Sequence, residues 1–188
     1  MPNAILDPTG GGGGAEHGAD VKRAPGGARA ARRDLRGARV GLLDNTKHNA
    51  MLFLQEVGRL LVEEEGAAEV SIVETKRSFS IPVDDEIVSR YKATADVVIT
   101  GVGDCGSCSA AAVADGINFE KAGVPAAVVL TDAFTTTGRT MASVQGDPDY
   151  EWITTEHPMA VLEPAQVRER ARLLLPEIVR ALTGAGAS

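Results

Sequence analysis

The chain has 188 residues, 44% of them hydrophobic and 24% charged, with a formal net charge of −7. That length and apolar content suit one ordinary domain with a tail, and the acidic balance argues against a general nucleic-acid binder, which needs surplus Lys and Arg to neutralise phosphates. No apolar run reaches the roughly 18–20 residues that span a bilayer and no signal-like apolar stretch stands near the N-terminus, so a soluble cytoplasmic protein without a membrane partner is expected. Only two cysteines occur, Cys105 and Cys108, three positions apart. They cannot staple a secreted fold, and in a reducing compartment this spacing reads as catalytic, redox or metal-binding chemistry.

Residues 1–37 contain a five-glycine run at Gly10–Gly14 and few large apolar side chains. Such a segment buries too little surface to offset its ordering entropy and is predicted to be a disordered tail. It carries most of a basic cluster, with seven Lys and Arg against the single acid Asp34 between Lys22 and Arg39.

From Ala38 the pattern changes to short apolar runs alternating with helical stretches, as in βαβ units around a parallel sheet. Strands are predicted at 40–43, 69–73, 95–100 and 126–130, the last two apolar enough to be buried on both faces. Helices are predicted at 49–65, where Met51, Leu52, Leu54, Val57, Leu60 and Leu61 recur at helical spacing, at 84–91, and at about 106–122. A loop and helix follow at 132–146, then a short extended piece at 151–155. A terminal helix spans 164–183 with Pro176 as a kink or break, and 184–188 should fray. The expected fold is a single three-layer open α/β domain over 38–183, flavodoxin- or Rossmann-like, with about four parallel strands in the order 2-1-3-4.

In such sheets ligands bind beyond the carboxyl ends of the strands, where the strand order reverses. Here that point lies between the first and third strands. It collects the loop Asp44-Asn-Thr-Lys-His-Asn49, the turn Gly101-Val-Gly-Asp-Cys-Gly-Ser-Cys108, and Thr131-Asp132-Ala-Phe134. A thiol in the first turn of a helix faces unpaired N–H groups and the positive end of the macrodipole, which favour thiolate. Cys105 is therefore the expected nucleophile. Cys108, one turn on, is placed to resolve a mixed disulfide, and Ser107 to cap the helix or donate to an oxyanion.

Packing of both cysteines under a helix and half of a zinc site are the competing readings. The stretch Gly101–Gly106 also matches a dinucleotide fingerprint, G-x-G-x-x-G. No metal or cofactor is assigned. His48 is a candidate proton carrier for the thiol. Asn45 and Asn49 can hold a substrate carbonyl or cap the first helix. Asp104, Asp132, Phe134 and His157 are candidate substrate contacts, and Arg139 a candidate carboxylate clamp.

The segment Val102–Cys108, with Asp115, Glu120-Lys-Ala-Gly-Val-Pro125, Leu42-Leu-Asp-Asn45 and Phe134, resembles the UGSC family, from about Val40 to His157-Pro158. A shorter likeness runs to the selenoprotein subunits of glycine and D-proline reductases. In some UGSC members the first motif cysteine is selenocysteine. The resemblance thus implies that Cys105 holds a position suited to a strong nucleophile of low pKa, with Cys108 as the resolving or supporting thiol.

The expected function is a thiol-dependent oxidoreductase acting on a small molecule, re-reduced by an external thiol or a thioredoxin-like partner. Two alternatives stand beside it. One is a non-redox cysteine enzyme, such as an isomerase, a lyase or a C–N or C–S bond-cleaving enzyme, with His48 or His157 moving the proton. The other is a subunit that presents its dithiol to a larger complex. Self-association into a homo-oligomer is left open.

Overall fold

The computed structural model describes residues 31–184. The four predicted apolar runs form β1 (Arg39–Asp44), β2 (Glu69–Thr75), β3 (Val97–Gly103) and β4 (Ala126–Thr131), joined by a short β5 (Ile153–Thr155). All pair in parallel in one sheet of order β2-β1-β3-β4-β5. The predicted order 2-1-3-4 is therefore observed, extended by one edge strand. The extended piece predicted at 151–155 finds its place as β5, because β4 leaves an open edge beside it.

Five helices cover the two faces: α1 (Ala50–Glu65), α2 (Asp85–Thr94), α3 (Gly106–Lys121), α4 (Thr135–Val144) and α5 (Pro164–Thr183). Alternation along the strands sorts the core. Val40, Leu42, Val97, Ile99, Ala127 and Val129 pack against α1 and α5, whereas Leu43, Val98, Val128 and Leu130 face α2, α3 and α4. Every residue of β3 and β4 is buried, as expected of central parallel strands with helices on both sides.

α3 is buried nearly all round, from Cys108 to Glu120. Its small residues make this possible: a Cβ on Gly116 would collide with Tyr150 and Val128, so glycine there lets the helix lie close on β4. That close seat sets where the head of α3, and hence Cys105, falls relative to the strand ends.

Three boundaries differ from those predicted. Residues 31–37 belong to the folded unit: Leu35 is buried in the α1/α5 core, Arg32 N–H donates to Leu182 O at 3.0 Å and Gly37 N–H to Gly66 O at 2.9 Å. One apolar side chain in a basic stretch gives no periodic signal, yet it plugs a preformed core. Residues 1–30, the rest of the predicted tail, lie outside the described residues. α5 runs unbroken through Pro176 because Leu174 and Leu175 before it and Ile178 and Leu182 after it are all buried. Burial of both halves offsets the roughly 3 kcal/mol that an interior proline costs. Gly184, predicted to fray, closes α5 as a left-handed cap with φ 67°; residues 185–188 are outside the described set.

Candidate active site

β3 turns into α3 over two residues. Cys105 is the N-cap of α3 in extended conformation, and its Sγ accepts the Cys108 N–H at 3.3 Å. Ser107 Oγ stands 3.8 Å from the same sulfur. Cys108 is fully buried; its thiol donates to Cys105 O at 3.2 Å and accepts Asp104 N–H at 3.2 Å. Both cysteines are free thiols.

Their electrostatics are unequal. Partial burial raises the Cys105 pKa, but hydrogen bonds from the Cys108 side chain and N–H and from Ser107, with the positive charge of Lys47, outweigh it and hold the thiol below its ordinary value. Cys108 is pushed up to about 11 by burial and by hydrogen bonding and charge repulsion from Cys105. The less buried member of the pair is thus the one that ionises more readily.

Asp104 faces away from solvent, its side chain 4% exposed. Its carboxylate accepts Met159 N–H at 3.2 and 3.1 Å and Ala160 N–H at 2.9 Å, and lies 2.9 Å from His157 Nδ1. Expected among the substrate contacts, Asp104 instead fastens the 157–160 segment to the cysteine turn with its own chain's donors. Thr131 Oγ1–H donates to Gly103 O at 3.1 Å, so its lone pairs face His157 Nδ1 at 3.2 Å. Both neighbours of Nδ1 are acceptors, which puts the proton of the neutral ring on Nδ1 and leaves Nε2 as its acceptor. Asp132 accepts His157 N–H at 3.1 Å, and Phe134 meets the imidazole edge-on at 5.5 Å. The Gly101–Val102 and His157–Pro158 peptides are both cis.

The loop after β1 is tied into the same place. Asn45, 1% exposed, donates to Val102 O at 2.8 Å and accepts Lys47 N–H at 3.3 Å, so it joins the β1 and β3 loops across the point where the sheet order reverses. Asn49 sits at the N-cap of α1 at φ 69° but makes no cap bond with its side chain; the amide donates to Met159 O at 3.0 Å and Leu162 O at 2.9 Å. His48 Nδ1 donates to Ala160 O at 2.7 Å. Four of the predicted site residues, Asn49, His48, Asp104 and Asp132, therefore tie one strap, residues 157–162, to the loops that follow β1, β3 and β4. Arg139 is elsewhere, on α4: it donates to Tyr150 O at 2.7 Å and stacks 4.4 Å from the Trp152 ring centroid.

Two features escaped the sequence. Lys47 stands in the loop that topology nominated, but a lone lysine there has no local signature. Lys76 and Asp115, side chains 3% and 0% exposed, form a buried ion pair, and Asp115 also accepts Val83 N–H at 2.7 Å. Their separation of 39 residues hides the pair from any pattern.

Fold and site together define an open parallel α/β domain with a Cys-x-x-Cys turn at its topological switch point. The chain belongs to the UGSC family, whose family model matches residues 4–184. No curated protein and no solved structure matches it significantly. Among the described residues, no helix is long and apolar enough to cross a membrane, and no three His, Cys, Asp or Glu side chains are grouped to hold a metal ion.

Proposed function

We propose that this protein is a thiol-dependent oxidoreductase that reduces a small molecule at Cys105. The supporting observation is the inequality of the pair: a half-buried Cys105 whose thiolate is held by the Cys108 N–H, with a fully buried Cys108 of raised pKa behind it. Against a small-molecule disulfide, the Cys105 thiolate bonds to one sulfur and the second leaves as a thiolate that takes up a proton. Cys108 then loses its proton and attacks the Cys105 sulfur. The other half of the substrate leaves as a thiol and the Cys105–Cys108 disulfide remains, so two electrons pass from the dithiol to the substrate. A peroxide follows the same course through a sulfenic acid, with an alcohol and water as products. An external dithiol, such as a thioredoxin-like protein, returns the electrons.

The resolving step has a built-in trigger. Two causes of the high Cys108 pKa are the hydrogen bond and the charge of Cys105. The charge vanishes once Cys105 is covalently modified, which eases ionisation of Cys108 at the moment it must attack. Replacing Cys108 with Ser is expected to halt the cycle after one turnover and leave a covalent adduct on Cys105, visible by intact-mass spectrometry. Sustained multiple turnover by that variant would sink the proposal.

A second reading rests on the Asp104–His157 pair. A carboxylate that orients an imidazole with Nε2 free is the arrangement of a proton carrier beside a cysteine nucleophile, and it suits carbonyl addition or bond cleavage without a redox cycle. Full activity in the absence of reductant, with no Cys105–Cys108 disulfide found, would favour it.

A further inference from the structure

Lys47 lies in the loop after β1 that Asn45 ties to the end of β3, and no step above uses it or its neighbour Phe79 as a binding group. Lys47 Nζ stands 4.5 Å from the centroid of the Phe79 ring, and among the described residues it has no carboxylate partner. A ring face attracts an ammonium without neutralising it, so the charge stays available. It reaches the site: Lys47 acts electrostatically on both Cys105 and Cys108.

Phe79 is itself held. It lies in the segment 77–82, and the residues on either side, Lys76 and Val83, are both fastened to Asp115 of α3. The helix that carries Cys105 at its head thus carries the anchor of the Phe79 segment nearly three turns further along. The acids near the crevice are turned elsewhere. Asp104 is occupied by Met159, Ala160 and His157, Asp132 accepts from His157 N–H, and Asp44 is buried at 4% exposure.

We propose that Lys47, steadied on Phe79, binds an anionic group of the substrate, so that the molecule attacked by Cys105 is a small anion with a carboxylate or similar charge beside its electrophilic centre. This rests on Cys105 being the nucleophile, as proposed above.

The test compares alkylation of Cys105 by iodoacetate and by iodoacetamide, followed by peptide mass spectrometry. The two probes share a leaving group and nearly a size, and both need the thiolate; they differ in charge. Their rate ratio therefore cancels any effect of Lys47 on Cys105 ionisation. The ratio of iodoacetate to iodoacetamide rates in the native protein is expected to be roughly three- to tenfold above that of Lys47→Met, as one unit charge at several ångströms near water supplies. Lys47→Arg should keep most of the preference, and added salt should erode it. Equal ratios in the native protein and Lys47→Met would overturn the inference. Should Lys47→Met fail to fold, a native ratio that is flat with salt and no higher than that of glutathione overturns it instead. Failure of the nucleophile reading shows separately, as an iodoacetamide rate at Cys105 no faster than at a free thiol, and the ratio still reports on Lys47.

Discussion

Asp104→Asn changes one atom and removes one charge at the junction of the cysteine turn and the 157–160 strap. The native carboxylate receives Met159 N–H, Ala160 N–H and His157 Nδ1 while almost wholly buried. An amide accepts along one edge only. If its oxygen faces the two backbone N–H groups, its NH2 opposes His157 Nδ1–H, and the ring must move its proton to Nε2 so that Nδ1 can accept. At least one charge-assisted bond is lost, at about 1.5–3 kcal/mol, and the survivors weaken from charged to neutral by about 1 kcal/mol more. For a domain of this size each kcal/mol lowers the melting midpoint by about 2–4 °C, so a total near 3 kcal/mol corresponds to about 6–12 °C. Thermal unfolding followed by circular dichroism measures the shift, and 15N imidazole resonances report the tautomer. A midpoint that moves by less than about 2 °C, with the His157 proton still on Nδ1, would refute the role given to Asp104.

Alkylation of Cys105 should reach half its maximal rate at a lower pH than that of an unperturbed thiol, while Cys108, raised to about 11, stays unlabelled until the fold is lost. The linkage signs follow. Cys105 has a lowered folded pKa, so its stabilisation is present above the unfolded value and is lost as pH falls through the folded value. Cys108 is a raised acid whose contribution is present below ~8.5 and is lost as pH climbs toward 11, so urea unfolding between pH 8 and 10.5 should show a decline that Cys108→Ser lacks.

Asp115→Ala strands the buried Lys76 ammonium and should cost about 3–5 kcal/mol in chemical denaturation. The double variant Lys76→Met with Asp115→Leu should cost less than Asp115→Ala alone. A double variant at least as unstable would mean that the loss comes from packing and not from the pair.

Much of the molecule is legible locally. The apolar runs at 95–100 and 126–130 read as doubly buried strands, helical spacing of leucines marks α1, and the alternation of strand and helix points to a parallel sheet. Asp84 caps α2 by accepting Ile87 N–H at 2.9 Å, a bond three residues long. The cysteine pair is legible for the same reason: an N-cap sulfur and the N–H three residues on are neighbours in sequence as well as in space.

Tertiary structure alone decides what is brought to that pair. His157 meets Asp104 across 53 residues, Asn49 meets Leu162 across 113, and Lys47 meets Phe79 across 32; each contact depends on which strands are neighbours and on how their loops fold back. Local spacing determines that Cys105 is a thiol at a helix head with the Cys108 N–H pointed at its sulfur, because a helix turn is a short-range object. Whether an imidazole, an ammonium or a carboxylate shares its crevice is set by the sheet order, which brings the ends of β1, β3, β4 and β5 to one edge and leaves no periodic trace in the chain.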